Sequence, residues 1–204
     1  MSQAGDRCLK NLRFENKVAV VTGGCCGVGR GCVDVLVEEG GKVAVLDTND
    51  EVGMSLTSDN LPGEIYFIHC DMNKEGDIQS AIEKVIKKYG HIDCLVNNVG
   101  THPGRNSIDN LTVQGFRDLL DTNLVSYFAA SKYALLYLRK TKGCIVNIGS
   151  IGSSAAAFGM PSYCASKVGI DSYRFLDKSS KYHYHRNVGY IPIFDIVLSN
   201  DVQK

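Results

Sequence analysis

The sequence lacks an excess of charge of either sign: 22 Lys and Arg stand against 22 Asp and Glu. A nucleic acid or an anionic membrane surface demands a basic footprint, so neither is expected as a partner. No apolar run approaches the roughly 20 residues that a membrane-spanning helix needs. The first residues, MSQAGDRCLKNLRFENK, carry charges but no apolar core of a secretory signal, and neither end shows a lipidation or retention signal. The 8 cysteines contain no C-x-x-C pair, which argues against a zinc ribbon or a thioredoxin-like centre. They read as reduced, small hydrophobes of a cytosolic chain. Internal repeats and low-complexity segments are also absent. What remains is 44% hydrophobic and 22% charged, the composition of a soluble globular protein. A length of 204 residues suffices for one sizeable domain.

The most informative stretch is Val18–Val37, VAVVTGGCCGVGRGCVDVLV. Val18, Ala19, Val20 and Val21 read as a strand buried on both faces. A glycine-dense turn follows, T-G-x-x-x-G-x-G, on Thr22, Gly23, Gly27 and Gly29. Apolar Val28, Cys32, Val35 and Leu36 then recur at helical spacing. Strand, glycine turn and helix together set a helix N-terminus against a phosphate, and glycine lets the backbone approach a pyrophosphate closely. An ordinary tight turn between strand and helix is the alternative for the glycines alone.

Further strands are expected at Lys42–Asp47, Glu64–Cys70, His91–Val96 and Gly143–Ile148. Helices are expected over Asp77–Tyr89, from about Val113 to Leu138, and from Pro161 through Tyr163–Leu176. Strands alternating with helices predict a Rossmann-type doubly wound parallel sheet in three α/β/α layers, with ligands at its C-terminal edge. Residues 1–15 read as a lead-in, 16–172 as the nucleotide-binding domain carrying the catalytic residues, and 173–204 as a separate tail.

Asp47 closes the second strand eighteen residues after Gly29. A carboxylate there binds both ribose hydroxyls of an adenosine and repels a 2′-phosphate, which favours NAD over NADP; a helix N-cap or a solvated strand end is the alternative. No Arg or Lys stands at position 48 or within Gly23–Gly29, although Arg30 follows the turn. Asp71, after the third strand, is placed to reach the adenine, or else to cap the next helix. Tyr163 and Lys167, four residues apart, project from one helix face. Ser150 lies thirteen residues before Tyr163, at the end of the fifth strand, where side chains enter the ligand crevice.

Taken together, TGGCCGVG, Asp47, CDM at 70–72, NNVG at 97–100, Asn123 within DTNLVSYF, Ser150 and YCASK at 163–167 resemble the short-chain dehydrogenase/reductase family in its own order, over residues from about 16 to 172. The resemblance implies an NAD-dependent oxidation of a secondary alcohol. The implied substrate carries a steroid 17β-hydroxyl or a sugar hydroxyl, with a prostaglandin-type hydroxyl as a further alternative. Tyr163 would be the base, Lys167 would favour its phenolate and hold the nicotinamide ribose, and Ser150 would orient the substrate oxygen. Asn123 would hold a water of a proton relay. Thr22, Gly23, Cys26, Gly27, Val28, Gly29, Asp47, Cys70, Asp71, Asn97 and Gly100 would line the cofactor together with Tyr163 and Lys167. A free tyrosine loses its proton near pH 10, so a neighbouring cation is what such a base requires.

Two departures stand out. The usual NNAG is NNVG, which adds two methyl groups at Val99 beside the cofactor. Only 41 residues follow Tyr163, and the family's sixth strand, Pro-Gly motif, substrate lid and seventh strand are not recognisable among them. Gly189–Phe194, GYIPIF, imitates a sixth strand, but Pro192 cannot donate to a central ladder. A non-catalytic NAD-binding variant therefore stands as the alternative function. The resemblance also implies a homotetramer, with one interface built from the helices around 113–138 and 163–176. A second interface would use the unrecognised C-terminal strand. His183 and His185, spaced i, i+2 with no third ligand, read as a solvated segment rather than a metal site.

Overall fold

The computed structural model describes residues 12–155, 158–173, 183–186 and 194–198. Its centre is a sheet in the order β3-β2-β1-β4-β5-β7-β6. The five strands β1 (Val18–Thr22), β2 (Lys42–Asp47), β3 (Glu64–His69), β4 (Cys94–Asn97) and β5 (Cys144–Ile148) are parallel. Strand β7 (Phe194–Leu198) runs antiparallel to β5, and β6 (His183–Arg186) runs antiparallel to β7. The expected sixth strand over 189–194 lies outside the described residues apart from Phe194. For β6, which holds His183 and His185, only the backbone is described.

Strand β1 is buried along its whole length, and its period of two divides the core. Val18 and Val20 face one cluster with Ala44, Leu46 and Leu95, closed by Ile78, Ile82 and Val85 of α3 (Glu75–Tyr89) and Ala130, Ala134 and Leu138 of α5 (Ser126–Thr141). Ala19 and Val21 face the other, with Val43, Val45 and Val96, closed by Val33, Leu36 and Val37 of α1 (Gly27–Glu38). Burying each such aliphatic side chain contributes about 1.5–3 kcal/mol. Short helix α2 (Asp50–Ser55) is capped by Asn49, whose side chain accepts from the Val52 amide. Of the lead-in over 1–15, the described part is docked: Phe14 packs on the α1-side core, and its amide donates to Glu39 O at 2.9 Å.

The single helix expected from Val113 to Leu138 is broken into three. Helix α4 (Val113–Leu120) passes into a π-helical stretch over Asp121–Val125 and then into α5. One widened turn of this kind has no compositional signature, and such turns gather at functional sites. Helix α6 (Pro161–Tyr173) carries the Tyr163–Lys167 pair. Among the described residues no helix is long and apolar enough to cross a membrane.

Candidate active site

Strand order reverses between β1 and β4, and a cavity of about 1020 Å³ opens there at the C-terminal ends of the strands. This is where open α/β sheets hold ligands. One end is built by the glycine turn. Gly23, Cys26, Gly27 and Val28 line the cavity. The N-cap of α1, Cys26, makes no side-chain capping bond, and the first turn holds no acidic residue, so the helix presents uncompensated amides as an anion cradle. Gly23 and Gly27 have φ of 66° and 54°, a conformation that favours glycine. Gly27 has open space where a Cβ would stand. Gly29 is different: it is buried, and a Cβ there would collide with Gly23 O and Asn98 Nδ2. It packs α1 closely against the turn and does not line the cavity.

Asp47 lines the cavity at the end of β2, and its carboxylate is held in place. One oxygen accepts from the Cys25 amide at 3.0 Å and the other from the Asn49 amide at 3.1 Å. Burial and the adjacent Asp47 carboxylate push the Cys25 thiol up to about 12. Arg30 turns away and pairs with Asp34 at 2.7 Å. Asp71 also lines the cavity and does not cap α3, whose N-cap is Lys74. Its carboxylate accepts from the Asn73 amide at 3.0 Å and pairs with Lys74 at 3.3 Å. The Asn73 amide bond leads in holding its pKa below the ordinary value, with Lys74 adding to the effect. Cys70 completes this side, buried, with its thiol 3.7 Å from Met72 Sδ.

The other end gathers Ser150, Tyr163 and Lys167. Ser150 Oγ accepts from the Gly152 amide at 3.1 Å, which fixes its rotamer. A Cβ on Gly152 would stand 3.3 Å from the Tyr163 ring and 3.4 Å from Ser150 Oγ, so glycine permits the two side chains to flank it. Lys167 is 4% exposed. Its ammonium donates to Ile148 O at 2.9 Å and lies 5.8 Å from the Tyr163 ring centre and 5.7 Å from that of Tyr127. Burial pulls its pKa from 10.5 down to about 8, against an opposing pull from Asp171. A Cβ on Gly100 would meet Asn123 Oδ1 at 3.6 Å and Lys167 Nζ at 3.8 Å, so these two polar groups converge across a bare glycine.

Four residues expected at the cofactor or in catalysis do not line the cavity, namely Thr22, Gly29, Asn97 and Asn123. Thr22 Oγ1 accepts from the amides of Asn98 and Val99 at 2.9 and 3.2 Å, locking β1 to the loop after β4. Asn97 is wholly buried, and its amide donates to Ser131 Oγ and Asn147 Oδ1 at 3.1 and 2.9 Å. Its place on the cavity is taken by Asn98, because neighbouring residues at a strand end face opposite sides. Asn123, in the π-helical stretch, clamps Thr101 at both backbone groups, at 2.8 and 3.0 Å, and donates to Ser166 Oγ at 3.2 Å. Val99 is accommodated because residue 23 is glycine: a Cβ there would stand 2.9 Å from Val99 Cγ2.

His102 belongs to the site without carrying a motif of its own. It lines the cavity, and its ring meets that of Tyr163 edge-on, centroids 4.7 Å apart. Its Nδ1 accepts from the Gly104 amide at 3.0 Å, and its Nε2 lies 2.9 Å from Met160 Sδ. The available signal was its position, two residues past Gly100 on a loop leaving the C-terminal sheet edge.

The architecture and the motif order have counterparts among known proteins. The family model described as short chain dehydrogenase matches residues 17–186. An L-fucose dehydrogenase of Rattus norvegicus is 42% identical over 148 residues, covering 71% of this chain and 54% of the relative. Tropinone reductase-like 1 of Erythroxylum coca is 34% identical over 162 residues, 78% of this chain and 59% of the relative. The ligand-free aldohexose dehydrogenase of Thermoplasma acidophilum superposes with a TM-score of 0.69 at 31% identity, over 78% of this chain and 59% of that one. The chain thus spans little more than half the length of the curated relatives it matches. With a five-stranded parallel core, a glycine turn at the strand-order reversal and Ser150, Tyr163 and Lys167 around one cavity, this chain belongs to the short chain dehydrogenase family.

Proposed function

We propose that the chain is an NAD-dependent oxidoreductase that oxidises a secondary alcohol, with a sugar hydroxyl as the first substrate class to test and a steroid 17β-hydroxyl as the second. The observation that carries this reading is the shared cavity: Asp47 and the uncapped start of α1 stand at one end, and Ser150, Tyr163 and Lys167 at the other. NAD fits this surface. The bare Gly27 and unpaired α1 amides suit a pyrophosphate, and Asp47 suits ribose hydroxyls. With Arg30 engaged by Asp34, the described cavity wall offers no arginine for a 2′-phosphate, which supports NAD over NADP. When bound, the nicotinamide supplies the hydride acceptor.

The protein's own work is positioning and proton transfer. Ser150 Oγ, fixed by the Gly152 amide, donates to the substrate oxygen and orients it toward Tyr163. Tyr163 takes the hydroxyl proton, and the cationic form of Lys167 favours the phenolate so produced. Asn123 stands beside Lys167 across Gly100, where a proton relay to solvent requires a polar group. The exposed Val125, Phe128 and Leu136 on α5 and its approach, with Val168 on α6, support a family-type homo-oligomer. The free thiols of the described cysteines suit a cytosolic setting.

The test is NADH formation by the purified chain with L-fucose, estradiol and a panel of secondary alcohols, read beside thermal shift with NAD⁺. Turnover with any of them supports the reading. Stabilisation by NAD⁺ with no turnover on the whole panel refutes the activity while leaving the nucleotide site standing.

A further inference from the structure

A second cavity, of about 720 Å³, lies on the α1 face of the sheet, where Ala19, Val96 and Val146 line it beside α1. Cys32 from α1, Cys94 from β4 and Cys144 from β5 reach its wall. Cys94 and Cys144 are directly opposite each other in the parallel register of β4 and β5. Adjacent strands lie roughly 4.7–4.9 Å apart, inside the roughly 4.4–6.8 Å Cα separation that a disulfide spans. Both side chains issue from the same face, since both pack toward the α1-side core or its cavity. Both residues are half-buried and their thiols are free. None of this belongs to the nucleotide site, which lies at the opposite end of β4.

We propose that Cys94 and Cys144 form a peroxide-reactive dithiol, a modification site reached through this second cavity. Cys144 is the attacking thiol. The facing Cys94 thiol favours the Cys144 thiolate, against the opposing effects of burial and of Asp93. The facing Cys144, with burial, holds Cys94 protonated, as a resolving thiol should be. In the first step the Cys144 thiolate attacks one peroxide oxygen, the O–O bond breaks, and hydroxide leaves a sulfenic acid on Cys144. In the second, Cys94 sulfur attacks that sulfenic sulfur. The Cys94–Cys144 bond forms, and the displaced hydroxyl departs as water with the Cys94 proton. Both thiols are oxidised and one hydroperoxide is reduced.

The experiment uses the full chain, reduced, freed of reductant and titrated with hydrogen peroxide, then alkylated and mapped as unreduced peptides. The expected result is concurrent loss of alkylation at Cys94 and Cys144 and appearance of one disulfide-linked peptide pair, reversed by dithiothreitol, while Cys32 stays alkylatable. In Cys94→Ser, dimedone should trap a sulfenic acid on Cys144. Exposed Cys26 serves as the internal reference. If Cys94 and Cys144 remain fully alkylated at peroxide doses that oxidise Cys26, or if either pairs only with another cysteine, the proposal is overturned. The wild-type map decides this even if Cys94→Ser does not fold, and it reads nothing of NAD binding or turnover.

Discussion

The ring of His102 stands edge-on to that of Tyr163, centroids 4.7 Å apart at an interplanar angle of 62°. An aromatic pair of this kind is worth about 0.5–1.5 kcal/mol beyond its buried area, and here it bears on the proposed base. His102→Ala should lower kcat/KM for the best alcohol substrate by roughly tenfold, and His102→Phe should recover part of that loss by restoring the ring. Steady-state kinetics of the two variants check this. Equal losses in both would instead assign the effect to the imidazole nitrogens.

Three glycines at the start of α1 should respond in three ways. Gly29→Ala sets a methyl group against Gly23 O and should cost more than about 2 kcal/mol of stability. Gly27→Ala meets no atom but must keep a φ of 54°, at a cost of about 1–2 kcal/mol, and it adds a methyl group to the wall of the cavity. It should therefore weaken NAD⁺ affinity more than it lowers Tm. Gly31→Ala lies within α1 in open space and should stabilise by about 0.5–1 kcal/mol. Urea melts and NAD⁺ titrations of the three variants provide the comparison.

Lys167 carries a pH signature. In the folded protein it titrates near 8 instead of 10.5. Between those values the unfolded chain holds a proton that the folded chain has released, so stability rises with pH across that window. The rise amounts to about 3 kcal/mol at full effect, from roughly 1.4 kcal/mol per unit. Lys167→Met has no such contribution. Its apo form should match or exceed the wild type in stability at pH 7, despite losing the bond to Ile148 O. That advantage should shrink between pH 8 and 10.5. Denaturant melts of both proteins across this range test the sign, and Lys167→Met should lack turnover throughout.

Asp47 sets the expected cofactor preference. Its carboxylate, fixed by the Cys25 and Asn49 amides, opposes a 2′-phosphate. Asp47→Ser should reduce the ratio of kcat/KM with NAD⁺ to that with NADP⁺ by at least about tenfold, since like-charge juxtaposition costs several kcal/mol. An unchanged ratio would remove Asp47 from cofactor selection.

Much of this arrangement was legible in the residues themselves. Fully buried strands announce themselves as apolar runs, so β1 and β2 were located closely from Val18–Val21 and Lys42–Asp47. Glycines at a strand–helix turn and acids at strand ends are local features, and Asp47 and Asp71 stand where their spacing placed them, beside one cavity. Other matters were decided only in three dimensions. Which of Asn97 and Asn98 faces the cavity depends on where β4 ends, because one residue of register reverses every side chain. Asn123 was expected in a continuous helix and sits in a π-helical stretch clamping Thr101, since a single widened turn leaves no periodic trace. The pairing of Arg30 with Asp34 and the meeting of Cys94 with Cys144 also escape the sequence. The first is a choice among side-chain rotamers. The second joins residues fifty positions apart through the register of two strands. Local chemistry determined which polar and glycine positions the chain offers a ligand, and tertiary packing decided which of them line the cavity and which hold the frame.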